Sequence, residues 1–231
     1  MKRLFDIFFS VLGLIVFLPI LITFCFLIWL QDFHSPFYKA VRVGKHNRQF
    51  TMYKLRTMRV NAVQTGVEST SSDDNRITSL GKFIRLIKMD ELSQLLNVLK
   101  GDMSLVGPRP NTIKGVSVYS QDEFNLLSAK PGITDISSIV FSDEGSILAG
   151  EENPDLAYDQ IIRPWKSKLG LLYINNQNLL LDLKLIMFTI LAIFKKKLAL
   201  FFLNRVLIKL TDDNELIEVA KREHNLSNPL T

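Results

Sequence analysis

The chain has one cysteine, Cys25, and three histidines, His34, His46 and His224, among 231 residues. A single thiol can make neither an intrachain disulfide nor a zinc site with two or more thiolates. Three scattered imidazoles with no partners at ligand spacing make no transition-metal cluster. No internal repeat or long low-complexity stretch is present. With 47% apolar residues and a mean hydropathy of +0.16, the composition excludes a disordered chain. The length suits one domain and is short for two independent ones. The chemistry must therefore come from carboxylates, bases and hydroxyls.

The charge that is present is unevenly spread around a net +5. Residues 1–36 balance, 37–110 carry +7, 111–178 carry −4, 179–210 carry +5 and 211–231 carry −3. Two basic blocks flanking an acidic one suit a chain that meets anions in two places: a membrane surface, a phosphorylated substrate, or both. A pI of 9.3 also admits nucleic acid. However, the bases surround acids and no aromatic-basic platform for a single strand is evident, so no nucleic-acid partner is expected.

Ile7 to Gln31 is free of charge, a 25-residue run. As a helix it would be about 37 Å long, enough for a hydrocarbon core of about 30 Å. It is too long for the apolar part of a cleaved signal peptide, and no small-x-small site follows it. Two readings stand side by side. Hydropathy alone gives a single spanning helix. Against this, Pro19 lies midway and both flanks are basic, with Lys2 and Arg3 before and Lys39, Arg42, Lys45 and Arg48 after. These features suit a re-entrant helix that bends at Leu18-Pro19 and returns to the same face. At the other end, Leu179 to Leu210 is apolar but broken by Asp182, Lys184, Lys195, Lys196, Lys197, Arg205 and Lys209. It reads as basic amphipathic helices at the headgroup level, with packing into the protein core as the alternative for its first half.

Between these segments, Phe50 to Met58 reads as a strand and the polar stretch Asn61 to Asp74 as a loop. Ser79 is placed to cap a helix from Leu80. Its apolar residues run from Phe83 to Leu99, with a break between Ile87 and Asp90 and a stop at Gly101. A second helix starting at Met89-Asp90 would direct its positive end at the carboxylates. Gly101 to Pro110 reads as an exposed turn in which two prolines aim Arg109, and Pro131 to Thr134 as a second turn. Ile136 to Phe141 reads as a strand, and Asp143 to Asp159 as loop or short helix.

Adjacent acids on a helix are usually only solvated, so Asp90-Glu91 by itself says little. Its surroundings say more: Lys54, Arg56, Arg85, Lys88 and Arg109 all lie in the +7 block. Cations around a carboxylate pair suit a phosphate-bearing substrate. Guanidinium groups bind phosphate oxygens, while a carboxylate attacks phosphorus or holds a hard cation.

These residues lie within a longer run: Tyr53-Lys54-Leu55-Arg56-Thr57-Met58, Gly81-Lys82-Phe83-Ile84-Arg85, Met89-Asp90-Glu91-Leu92 through Asn97-Val98-Leu99-Lys100-Gly101-Asp102-Met103-Ser104-Leu105-Val106-Gly107-Pro108-Arg109-Pro110, and Lys130-Pro131-Gly132-Ile133-Thr134. The run resembles the monotopic phosphoglycosyl transferases, or bacterial sugar transferases, in their small single-domain form. With the first apolar segment and Leu181-Asp182-Leu183-Lys184, the likeness covers most of residues 1–190.

The resemblance implies an α-dominated α+β fold with four parts. Residues 1–36 form a re-entrant membrane helix, 37–178 a small cytoplasmic catalytic domain with short strands, 179–210 interfacial amphipathic helices and 211–231 a polar tail. It implies transfer of sugar 1-phosphate from a UDP-sugar to undecaprenyl phosphate, releasing UMP and starting a glycoconjugate such as an O-antigen or other polysaccharide. Asp90 would be the nucleophile that forms a phosphosugar intermediate. Glu91 would support the metal or a proton transfer, and Mg²⁺ at Asp90 and Glu91 would neutralise the diphosphate. Arg85, Arg109, Lys54, Arg56 and Lys88 would hold phosphate oxygens. The expected setting is the cytoplasmic face of the bacterial inner membrane, with anionic lipid and a second copy in a homodimer as further partners.

The chain departs from the pattern at several places. Many relatives have a serine before the helix proline, where Leu18 stands, and a proline where Ser93 stands. Asp135 to Ser142 replaces a Gly-Trp-Ala-Gln-Val-Asn-Gly-Arg stretch, and Gly170 stands where relatives carry an acid. The sugar is therefore not carried over. The rival of a different class is a catalytically idle, membrane-anchored module that binds lipid phosphate and uses Asp90-Glu91 only to cap a helix.

Overall fold

The first helix, α1 (Lys2–Asp32), is continuous through Pro19 in the computed structural model, which describes residues 1–62, 67 and 69–223. Proline removes one backbone N–H, and the Thr23 hydroxyl donates to the Pro19 carbonyl at 2.9 Å beside it. Among the described residues α1 is the one helix long and apolar enough to cross a membrane. A core helix of that composition would be mostly buried. Here 11% of the most apolar 18-residue stretch is buried, and Leu4, Phe8, Ile15, Val16 and Ile22 are more than half exposed. Such a surface is unfavourable in water and suits lipid.

The architecture is helix-dominated with short strands, and the chain divides into two units, Met1–Gln64 with Asn75–Ile133 and Thr65–Asp74 with Thr134–Thr231. Length alone favours one unit, but each of the two buries its own apolar side chains.

In the first unit, α1 contributes to a core shared with later segments: Leu21, Ile28, Leu55 and Ile84 are buried together, with Leu14, Phe24, Leu80, Met89 and Leu92 packed around them. Strands β1 (Phe37–Val43) and β2 (Gln49–Leu55) pair antiparallel, from Phe37 opposite Leu55 to Val43 opposite Gln49. Helix α2 (Ser79–Leu86) is capped by Thr78, one residue before the expected Ser79; the Thr78 hydroxyl accepts from the Gly81 N–H at 3.0 Å. The expected break comes next. Lys88 takes φ 58°, a 3₁₀ turn covers Met89–Gln94, and α3 (Leu95–Lys100) ends at Gly101 with φ 93°.

The stretch read as an exposed turn is instead buried from Met103 to Pro108 and contains strand β3 (Ser104–Val106). After α4 (Ile113–Ser117), the second expected turn is likewise a strand, β4 (Gly132–Thr134), paired with β3. The pairing depends on two glycines. A Cβ on Gly132 would lie 2.1 Å from the Gly107 nitrogen, so only bare backbone fits there.

The second unit is helical: α5 (Ile136–Val140), α6 (Glu144–Ile147), α7 (Pro154–Ala157), a π turn over Tyr158–Ile162, α8 (Arg163–Asn176), α9 (Leu179–Leu207) and α10 (Asn214–Lys221). Residues Ile136 to Phe141, read as a strand from their β-branched residues, form helix α5. The buried Asp135 carboxylate accepts from the Ser138 N–H at 2.7 Å and from the Ser137 and Ser138 hydroxyls, a cap that overrides the propensity.

Helix α9 buries Leu181 and Leu185 in its first half and Ala199, Leu200, Leu203 and Leu207 in its second. It also exposes Leu180, Met187, Ile190, Phe194 and Phe201. Lys195 leaves helical geometry between the halves. Buried Asp182 accepts from the Tyr173 hydroxyl at 2.6 Å. Within the polar stretch 211–231, α10 buries Leu216, Ile217 and Ala220. His224 lies outside the described residues.

Candidate active site

The site is built by tying β2 to the turn that carries the acids. Asn97, fully buried on α3, accepts from the Tyr53 N–H at 3.0 Å and donates to the Thr51 carbonyl at 2.7 Å. One helical turn earlier, the Ser93 hydroxyl donates toward the Tyr53 carbonyl at 3.0 Å and the Asp90 carbonyl at 3.3 Å. These two side chains pair with the edge of β2 much as another strand would.

The next residue on β2 is Lys54. Its ammonium stands 3.4 Å from both Asp90 Oδ2 and Glu91 Oε1, and so bridges the two carboxylates. Arg109, aimed by Pro108 and Pro110, donates from Nη2 to Glu91 Oε1 at 2.5 Å. Burial pushes the Glu91 carboxyl up. The Arg109 guanidinium, then the Lys54 and Lys88 ammoniums, outweigh it and hold the group well below the usual carboxylate range. Lys88, with its left-handed backbone, sits where α2 gives way to the acidic turn. Asp90 is buried in the first turn of the 3₁₀ segment.

The structure thus brings Lys54, Asp90, Glu91 and Arg109 together, with Lys88 close enough to act on Glu91. Arg85 donates from Nε to the buried Thr57 hydroxyl at 2.8 Å. Arg56 turns elsewhere. Both its terminal nitrogens bond the Asp32 carboxylate, with Nη2 to Oδ1 at 2.6 Å, and this clamps the end of α1 to the residue after β2. That pair draws the Asp32 carboxyl down to about 2.

Sequence reasoning passed over Ser93 and Asn97 as site-building residues. The available signal was two small polar side chains four apart, on the same helix face as Asp90.

Among the described residues no group of three or more His, Cys, Asp or Glu could hold a metal ion. A site with two carboxylates suits Mg²⁺ only if substrate phosphates and water supply the remaining oxygens. The donor set is compatible with that, being all oxygen and flanked by cations that suit phosphate.

Comparison with known proteins adds independent support. The family model described as bacterial sugar transferase matches residues 1–196. The uncharacterized sugar transferase EpsL of Bacillus subtilis is 35% identical over 191 residues, 82% of this chain and 85% of that protein. Galactosyl transferase CpsE of Streptococcus agalactiae is 37% identical over 200 residues, 82% of this chain and 41% of that protein. The undecaprenyl-phosphate galactose phosphotransferase of Salmonella typhimurium is 40% identical over 149 residues, 58% of this chain and 31% of that protein. The chain thus spans less than half the length of the last two relatives. With the family model covering most of its length and Lys54, Asp90, Glu91 and Arg109 gathered at one place, the chain belongs to the bacterial sugar transferase family.

Proposed function

We propose that this protein transfers sugar 1-phosphate from a UDP-sugar to undecaprenyl phosphate, releasing UMP and starting assembly of a glycoconjugate such as an O-antigen or other polysaccharide. The observation that carries the reading is the Lys54 ammonium spanning Asp90 and Glu91 while Arg109 anchors Glu91. This cation-lined carboxylate pair suits a diphosphate. The names of two relatives, an undecaprenyl-phosphate galactose phosphotransferase and a UDP-N-acetylgalactosamine-undecaprenyl-phosphate N-acetylgalactosaminephosphotransferase, support the same reaction class.

In the first step an Asp90 carboxylate oxygen attacks the sugar-bearing phosphorus. The bond from that phosphorus to the bridging oxygen breaks, and UMP leaves with the electron pair. In the second step a phosphate oxygen of the lipid attacks the same phosphorus and Asp90 departs as carboxylate, leaving a diphosphate-linked lipid. Arg109 and Lys54 stabilise charge on the phosphoryl oxygens, and Arg85 and Lys88 add to the field. Glu91 holds Arg109 and Lys54 in place. Mg²⁺, when bound by Asp90 and Glu91, would neutralise the diphosphate.

The reading places α1 in the cytoplasmic membrane as a re-entrant helix, with the catalytic unit on the cytoplasmic face. Support comes from its two ends, which are bonded to the same unit. Arg3 donates to the Val98 and Leu99 carbonyls and Asp6 accepts from Ser104, while Asp32 pairs with Arg56. The outward apolar residues of α9 suit contact with the interface.

The experiment is UMP release by detergent-extracted protein with Mg²⁺, undecaprenyl phosphate and a panel of UDP-sugars, with Asp90→Asn alongside. Release with one donor that is lost in the variant is expected. Full activity in Asp90→Asn would remove Asp90 as the nucleophile, and silence across the panel would favour the idle module.

A further inference from the structure

Asp6 is a buried carboxylate near the start of an apolar helix. It stands in the second turn of α1 and is 3% exposed, while Leu4 and Phe8, two residues to either side, are 74% and 63% exposed. Ser10 and Gly13 lie on the same face, one and two turns further on. Ser10 is fully buried, and a Cβ on Gly13 would meet Leu95 of α3 at 3.2 Å. A helix that had only to sit in lipid would gain nothing from a carboxylate at this place, since a buried ionisable group is costly unless it is bonded.

The partners of Asp6 lie in the segment that leads to Arg109. Asp6 Oδ1 accepts from the Ser104 hydroxyl at 3.0 Å and from the Leu105 N–H at 3.1 Å. Successive N–H groups of a strand point to opposite edges, and β3 uses both. The Ser104 N–H donates to the Pro131 carbonyl at 2.8 Å on the β4 side, and the Leu105 N–H donates to Asp6 on the other. Asp6 thus stands where a third strand would pair. Two residues beyond β3 the Pro108 carbonyl accepts from the Gly132 N–H at 3.0 Å, and the next residue is Arg109, which donates to Glu91.

Arg3, one turn before Asp6, donates to the Val98 and Leu99 carbonyls at the end of α3. Helix α3 follows directly on the turn that carries Asp90 and Glu91. The first two turns of α1 therefore hold the acid-bearing segment through Arg3 and the Arg109-bearing segment through Asp6, on either side of the bend at Gly101.

We propose that Asp6 is a positioning residue for the reaction: by fixing β3 it sets where Arg109 stands relative to Asp90 and Glu91. Helix α1 is then part of the scaffold of the site as well as an anchor. The inference rests on the reaction proposed above. Without Asp6 the Leu105 N–H loses its acceptor, β3 is held at its β4 edge alone, and the Arg109 fork shifts; a displacement of about 1 Å at such a group costs up to about 100-fold in rate.

The test is a double-variant cycle on the full chain in detergent. Its readouts are UMP release per folded molecule at saturating donor and, separately, affinity for UDP by titration calorimetry. Asp6→Ala is expected to lower kcat about tenfold and to weaken UDP about threefold. In an Arg109→Lys background, which has no planar fork to aim, the same substitution is expected to change either quantity by less than about twofold. Asp6→Asn keeps an acceptor oxygen and should stay within about threefold of wild type. Leu216→Ala, which empties a buried position on α10 in the other unit, should lower the melting temperature and leave the rate per folded molecule unchanged. If Asp6→Ala does not fold, Ser104→Ala takes its place; it removes one of the two donors, and a loss of about threefold with the same dependence on Arg109 is expected.

A loss of equal size in both backgrounds, or no loss per folded molecule, shows that Asp6 serves stability alone and overturns the proposal. Wild type that releases UMP from no donor overturns the proposed reaction, and the positioning role is then decided by the UDP cycle. Wild type that binds no UDP overturns both.

Discussion

The carboxamide of Asn97 and the backbone of Tyr53 are locked together. The side-chain oxygen accepts from the Tyr53 N–H at 3.0 Å while the side-chain nitrogen donates to the Thr51 carbonyl at 2.7 Å. This relationship sets where the following residue, Lys54, presents its ammonium. Asn97→Ala empties a buried position and takes away the partner of the half-buried Tyr53 N–H and of the Thr51 carbonyl, and should cost about 1–3 kcal/mol. A thermal melt reads that loss. The initial rate per folded molecule should also fall, and a rate unchanged in the folded fraction would show that the lock serves stability alone.

Lys54 and Arg109 differ in what they can lose. Lys54→Ala removes the charge shared by Asp90 and Glu91 and should lower UMP release by about 100-fold or more. Arg109→Lys keeps the charge and loses the planar fork, so a drop of about tenfold is expected, in kcat rather than in membrane binding. Steady-state kinetics on both variants, with flotation as the control, measures the split.

Glu91 makes stability depend on pH in a direction set by its partners. Its folded-state pKa lies below its unfolded value, because Arg109, Lys54 and Lys88 outweigh its burial. The stabilisation is therefore fully present above the unfolded value of about 4.3 and is lost as pH falls from there through the folded value. Urea melts of wild type and Glu91→Gln should differ by a constant amount from pH 8 down to about 5, and the gap should close in more acid solution. A gap that widens below pH 4 would contradict this assignment.

Asp135 decides the structure of the segment after β4. Asp135→Ala removes the N-cap of α5 and the acceptor of two hydroxyls at a buried position, and should cost about 2–3 kcal/mol. Asp135→Asn keeps one acceptor oxygen and should cost less. Chemical denaturation of the two variants orders them.

The two ends of α1 offer a test of topology. In a Cys25→Ser background, cysteines introduced at either end of residues 1–36 should both be labelled from the cytoplasmic side of inverted vesicles. Labelling from opposite sides would establish a spanning helix.

Part of this molecule was legible because the determining interactions are local. The uncharged run makes α1, the mixed aromatic and β-branched stretch makes β2, the break before Asp90 comes after Ile87, and Gly101 ends α3. The candidate site was legible in kind through Lys54, Asp90, Glu91 and Arg109, whose residue types and order carry the family likeness. The β3–β4 pair was not, because it joins residues far apart in the chain through two facing glycines that each look like an ordinary turn residue. The strand expected at Ile136 to Phe141 failed because one capping carboxylate outweighed the propensity of the residues after it.

The sequence by itself determined the apolar first helix, the basic and acidic blocks, and the adjacent acids Asp90 and Glu91 within a basic block, since each depends on residues close together in the chain. Tertiary structure alone decided which cation serves which acid. Arg56, expected at phosphate, closes on Asp32 at the end of α1, whereas Lys54, two residues earlier, bridges Asp90 and Glu91. Such choices arise from packing distances between separate elements, and Coulomb attraction at close range selects whichever partner the fold has already brought near.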